Sequence, residues 1–205
     1  MIGVLNHDMG NLRSVTNAIY SLGYDYLTVT EPAQFDDLSH LVIPGVGSYF
    51  TAIQKVKRLG LQQAIAGFAE SARPLLGICL GMQILSTSGE EGCFCEGLGL
   101  IPGHVRRLPD APGYAIPHVG WNGVSFTSDH PVLQGVRRGA DFYFVHSYYF
   151  DCDDCANVYG KTEYGKEFVS IVGKENVIGL QFHPEKSQSN GLKILENFCE
   201  WDGKC

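Results

Sequence analysis

One cysteine in a tight glycine frame is where this chain has most chemical promise. The stretch Arg73-Pro74-Leu75-Leu76-Gly77-Ile78-Cys79-Leu80-Gly81-Met82-Gln83 passes from a short apolar run into residues that favour helix, with a glycine two positions to either side of Cys79. Strand, sharp turn and helix is the physical reading. The thiol then sits at the crest of the turn, as the serine does in a nucleophile elbow. Glycine is needed at 77 and 81 because the turn crowds the backbone and a Cβ at either flank meets its neighbours. The turn sets the sulfur at a helix N-terminus, where unpaired N–H groups and the dipole favour thiolate. It also turns the N–H of Leu80 toward the place where an oxyanion forms. A buried structural cysteine is the alternative, and a histidine elsewhere in the chain has to decide between them.

Such a histidine stands near the C-terminus, in Val177-Ile178-Gly179-Leu180-Gln181-Phe182-His183-Pro184-Glu185-Lys186-Ser187. An apolar strand again ends in a polar cluster. His183 is suited to take the thiol proton. Glu185, two residues on, is suited to fix the imidazole tautomer and stabilise its charged form. A solvated His-Pro-Glu turn is the commoner fate of such a tripeptide. Two strand ends of matching chemistry favour a Cys-His-Glu triad.

Gly77-Ile-Cys79-Leu-Gly81-Met-Gln83 together with His183-Pro-Glu185 resembles the class I glutamine amidotransferases. Further stretches resemble one branch of them, the glutaminase subunits of imidazole glycerol phosphate synthases. These are Met9-Gly10-Asn11-Leu12-Arg13-Ser14-Val15, Pro44-Gly45-Val46-Gly47, Pro117-His118-Val119-Gly120-Trp121-Asn122 and Tyr143-Phe144-Val145-His146-Ser147-Tyr148. The resemblance runs from residue 1 to about residue 200. It implies an oxyanion hole made by the N–H of Leu80 and by the Val46-Gly47 loop. It implies glutamine contacts from Gly47, Gln83, Glu91 and the backbone around Ser147 and Tyr148. It places Asn11, His118, Trp121, Tyr143 and Lys186 on a partner-facing surface. The implied partner is a (β/α)8-barrel cyclase that receives the ammonia through an interior passage, and no cofactor is implied.

Two features depart from that pattern. His7 and Asp8 stand where the family has an aromatic residue and a glycine. Paralogues that supply ammonia for acetamidino sugars in surface polysaccharides therefore stay open beside histidine biosynthesis, as does a non-catalytic scaffold. The chain also carries Cys93-x-Cys95 and Cys152-x-x-Cys155, outside the family pattern. Four such thiols are a candidate zinc set, with free loop thiols the favoured alternative.

These residues need a scaffold that brings distant strand ends together. Ile2–Leu5, Tyr26–Val29 and Leu41–Ile43 read as strands. Leu12, Val15, Ala18, Ile19 and Leu22 share one helical face that Gly23 ends. This β-α-β grammar predicts an α/β fold with a mostly parallel central sheet covered by helices, and a site at the carboxyl ends of its strands. Ser48 is suited to cap the helix that starts at Tyr49. Residues 86–95 read as a loop. From about residue 97, glycine-rich turns separate short segments that read as hairpins, predicting an additional smaller antiparallel or mixed sheet. Residues 192–201 read as an amphipathic closing helix.

At 205 residues, residues 1–205 are expected to form a single domain. A formal charge of −7 argues against a nucleic-acid surface. No basic stretch followed by an apolar core opens the sequence, and no apolar run reaches membrane length. A thiol nucleophile without an export signal points to the cytoplasm. No Walker loop or dinucleotide fingerprint supplies an acceptor site, so the ammonia is expected to be used on a separate subunit.

Overall fold

The structure, a computed structural model, describes residues 1–7 and 11–204. Asp8, Met9 and Gly10, which belong to two of the stretches discussed above, lie outside the described residues. The chain opens with β1 (Ile2–Leu5), α1 (Leu12–Ser21), β2 (Tyr26–Val29) and β3 (His40–Ile43). Helices α2 (Tyr49–Arg58) and α3 (Leu61–Glu70) follow, then β4 (Leu75–Ile78) and the single-turn α4 (Leu80–Gln83). The short strands β5 (Ser88–Gly89) and β6 (Cys95–Glu96) interrupt the expected loop. Next come β7 (Gly103–Arg107), β8 (His118–Gly123), β9 (Ser125–Phe126), β10 (Asp141–His146) and β11 (Tyr148–Cys152). The chain ends with β12 (Val158–Tyr164), β13 (Lys166–Lys174), β14 (Val177–Leu180) and α5 (Gln188–Glu200).

Among the described residues, one sheet runs in the order β2-β1-β3-β4-β14-β13-β11-β7-β5-β6, with β12 on β13 and β9 on β12. From β2 to β14 every pairing is parallel. These strands are short and fully apolar where both faces are covered, as parallel strands must be. Their side chains alternate between two cores. Val4, Val42, Leu76, Ile78, Ile178 and Leu180 point to one side, where α1 and α5 pack with Val15, Ile19, Ile194 and Phe198. Leu5, Leu41, Ile43, Leu75 and Val177 point to the other, against Ile53 and Val56 of α2 and Ile65 and Phe68 of α3. Each fully buried Leu, Ile, Val or Phe contributes about 1.5–3 kcal/mol. The α/β architecture is the one the strand–helix alternation predicts.

The expected hairpins divide. β8 and β10 alone make the small second sheet, antiparallel, while β7, β11, β12 and β13 extend the large one. For the site, the decisive neighbours are β4 and β14. They are parallel, with Leu180 opposite Ile78, so both chains leave the sheet at the same edge. The N–H of Cys79 donates to the carbonyl of Leu180 at 2.7 Å and locks the two exits together. Residues a hundred positions apart in sequence thereby enter one site.

Candidate active site

Cys79 adopts φ 53° and ψ −107°, a strained left-handed conformation for a residue with a Cβ. The flanking glycines make the turn sterically feasible. A Cβ on Gly77 meets the carbonyl oxygen of Gly81 at 2.6 Å, and a Cβ on Gly81 meets the carbonyl oxygen of Ile43 at 1.7 Å. The helix after the turn departs from expectation. It is one turn long, so it carries little summed dipole, and local contacts must hold the sulfur instead. Those contacts are the carbonyl of Val145 and the amide of Gln181, each 3.8 Å from Sγ. Leu80, expected to serve the oxyanion, has its N–H engaged in this structure. Its N–H donates to the carbonyl of Gly45 at 3.3 Å rather than standing open for an oxyanion, because a buried amide takes a nearby acceptor.

His183 follows β14, and its N–H donates to the carbonyl of Tyr143 at 2.9 Å. Its Nδ1 lies 2.8 Å from Glu185 Oε1, and both side chains are fully shielded from solvent. Burial disfavours the charged ring. The nearby Cys79 sulfur, with Glu185 behind the ring, overcomes that and raises its pKa to about 10. The raised pKa favours the charged imidazole at neutral pH. Asn11, expected on the partner surface, is half-buried and also reaches the triad. It stands at the start of α1 with φ 60°, and its amide donates to Glu185 Oε1, the oxygen that also meets His183. Sequence reasoning missed this role because α1 and α5 had to be packed before residue 11 met residue 185.

A pocket of about 170 Å³ opens in front of the sulfur. Val46 and Gly47 line it from the loop after β3, and Cys79, Leu80 and Gln83 from the elbow. Glu91 borders it from the loop after β5, and Val145, His146, Ser147 and Tyr148 from the β10–β11 corner. The sequence-derived glutamine contacts Gly47, Gln83, Glu91, Ser147 and Tyr148 are thus brought together; Val145 and His146 are additional. Gln83 differs in detail: its Nε2 donates to the carbonyl of Tyr148 at 2.9 Å and to Gln181 Oε1 at 3.2 Å. Glu91 also has a second task. Its Oε2 accepts the N–H of Tyr49 at 2.8 Å and so caps α2, while the expected cap, Ser48, makes no side-chain capping bond. Burial raises the pKa of Glu91, and the Tyr49 N–H pulls it back.

Of the residues expected on the partner surface, Trp121 is 49% exposed and Lys186 is exposed. Lys186 Nζ sits 5.7 Å above the Tyr143 ring, and Trp121 meets that ring edge-on at 6.0 Å. His118 is a correction: it is only 2% exposed, and its ring stacks on Phe144 and Tyr164. The period of two along β8 explains this, since His118 points inward and Val119, 55% exposed, points outward. Cys93, Cys95, Cys152 and Cys155 are free thiols, and among the described residues no three His, Cys, Asp or Glu side chains group to hold a metal ion.

With this geometry in view, the chain was compared with known proteins. The family model for glutamine amidotransferase class-I matches residues 4–201. "Imidazole glycerol phosphate synthase subunit HisH" of Sulfurimonas denitrificans is 44% identical over 204 residues, covering 98% of each chain. A second protein of that name, from Moorella thermoacetica, is 44% identical over 199 residues, covering 97% of this chain and 94% of that one. "HisH 2" of Nitrobacter winogradskyi is 39% identical over 208 residues, covering 98% of each. Among solved structures, PurLQS from Thermotoga maritima aligns with a TM-score of 0.77 at 22% identity, and a glutamine amidotransferase with 0.76 at 20%, each over 97% of both chains. At that identity the two structures speak for the fold alone. A match across nearly the whole chain, joined to relatives well above 30% identity, is decisive: the chain belongs to the class I glutamine amidotransferases.

Proposed function

We propose that this chain hydrolyses glutamine to glutamate and ammonia and passes the ammonia to a (β/α)8-barrel cyclase that makes imidazole glycerol phosphate in histidine biosynthesis. Residues 1–205 act as one glutaminase domain, in a heterodimer in the cytoplasm, where a thiol nucleophile stays reduced. The observation that carries this reading is the strained Cys79 elbow beside a charged, carboxylate-backed His183. The relatives named as synthase subunits favour the histidine branch over acetamidino-sugar formation.

In the reaction, the Cys79 thiolate attacks the side-chain amide carbon of glutamine. The oxyanion draws on the N–H of Leu80, which must exchange the Gly45 carbonyl for it, and on the Val46-Gly47 loop. Charged His183 gives its proton to the departing nitrogen as the C–N bond breaks. That leaves a γ-glutamyl thioester and ammonia. Neutral His183 then takes a proton from water, whose oxygen displaces the sulfur and releases glutamate. Glu185 holds the ring through both steps, and Asn11 holds Glu185.

Glutamate release, assayed with and without the barrel subunit, tests the reading. Hydrolysis that rises on adding the partner is expected; a complex that releases no glutamate contradicts it. The surface of Trp121, Val119, Tyr143 and Lys186 is the proposed docking face. Trp121→Ala is expected to weaken the complex about thirtyfold, the scale of an aromatic anchor. A calorimetric titration that finds unchanged affinity would remove Trp121 from that face.

A further inference from the structure

Two buried histidines, one of them at the pocket wall, have no part in the reaction above. His118 on β8 and His146 on β10 are cross-strand partners, 2% and 6% exposed. They join in a chain: Asn122 Nδ2 to His118 Nε2 at 3.4 Å, His118 Nδ1 to His146 Nε2 at 3.0 Å, and His146 Nδ1 to the carbonyl of Tyr148 at 2.8 Å. Both ends fix its direction. Asn122 Oδ1 accepts the N–H of Gly123 at 2.8 Å and its Nδ2 donates to the carbonyl of Glu163 at 2.9 Å, so Nδ2 is also the donor toward His118. At the other end a carbonyl only accepts. A neutral imidazole has one donor and one acceptor, so each ring must carry its hydrogen on Nδ1. A second hydrogen on either ring sets donor against donor. Burial agrees with this, lowering the pKa of His118 to about 4 and of His146 to about 3.

The chain ends where the pocket begins. The Tyr148 carbonyl that receives His146 also receives Gln83 Nε2, and Gln83 continues to Gln181 and on to the Cys79 sulfur. His146, Ser147, Tyr148 and Gln83 all line the pocket.

We propose that His118 and His146 are positioning residues: a one-way chain of two Nδ1–H imidazoles that fixes the Ser147–Tyr148 corner and the Gln83 amide, and so sets how well glutamine is held. This rests on the glutaminase reading. The pair touches neither the sulfur nor His183 by hydrogen bond among the described contacts, so its effect falls on binding rather than on the chemical step.

The test uses the assembled enzyme, with kcat and KM measured for glutamine. His146→Leu is expected to raise KM about tenfold while kcat changes less than about threefold, the scale of one lost hydrogen bond. His146→Asn keeps a donor near the position of Nδ1 and is expected to bring KM back to within about threefold of the parent. His118→Phe keeps the ring stack, loses the donor and is expected to raise KM about threefold. Leu and Asn variants that are equally impaired, or a loss confined to kcat, would overturn the proposal. Nitrogen NMR of the unsubstituted chain supplies a readout that needs neither a variant that folds nor an active enzyme. Nδ1–H signals for both rings at neutral pH are expected, and an Nε2–H or doubly protonated ring at either position overturns the chain. Absent glutamine hydrolysis with these tautomers present would count against the glutaminase reading, and not against the hydrogen-bond chain.

Discussion

Cys79→Ala is expected to lower glutamine hydrolysis by about 10⁴-fold or more, because no other group in the pocket can form the thioester. The fold should survive, since the substitution removes one sulfur atom from a site whose flanking glycines already admit the turn. His183 reports the change independently of turnover. Burial pulls its pKa down, and the Cys79 sulfur is the largest influence raising it, ahead of Glu185. In the alanine variant the ring keeps only Glu185, so its pKa should fall from about 10. A folded value above the ordinary 6.5 means that the charged ring stabilises the native state. That contribution is complete below about 6.5 and is lost as the pH rises through about 10. The stability gap between parent and variant should therefore narrow as pH is raised from 7 to 10. Urea unfolding measures it, and a gap that widens with pH would contradict the charged pair.

Gly81→Ala should have the largest effect on the fold. Its Cβ falls 1.7 Å from the carbonyl oxygen of Ile43, and backbone atoms, unlike the tip of a long side chain, cannot swing aside. The clash joins the elbow to the end of β3, so relief has to move one parallel strand end against its neighbour. Overpacking of this kind costs about 3 kcal/mol or more, which corresponds to a melting temperature lower by roughly 6–12 °C in a chain of this size. A scan showing parental stability would mean that the elbow does not press on β3 as described. Gly67→Ala is a useful control, since a Cβ there meets nothing within 4 Å and helix interiors favour alanine.

The parts of this fold legible in the sequence are those governed by local pattern. Apolar runs such as Leu75–Ile78 and Val177–Leu180 read as buried strands, and the glycines around Cys79 announce a crowded turn. The pocket-lining set was legible mainly through resemblance, since nothing local distinguishes Glu91 from a solvated loop residue. Where expectation failed, the missing information was tertiary or came down to one residue of register. His118, expected on the partner surface, points inward and Val119 outward because alternation along β8 has no sequence signal for which face the small sheet buries. Asn11 turns to Glu185 because two distant helices pack together. Ser48 yields its cap to Glu91, which is 43 residues further on and stronger as a charged acceptor. Gln181 carried a usable signal: a polar residue at the end of an otherwise apolar strand run needs a buried partner, and it finds Gln83 and the sulfur.

The most direct measurement is covalent labelling with a glutamine analogue that carries a chloromethyl ketone in place of the side-chain amide. Seven cysteines compete for the reagent. Peptide mass spectrometry is expected to find one equivalent, on Cys79, with labelling blocked by excess glutamine and slowed strongly in His183→Ala. Label spread over the exposed Cys93 and Cys155, or label on Cys79 that is indifferent to glutamine, would contradict a glutamine-directed nucleophile at the elbow.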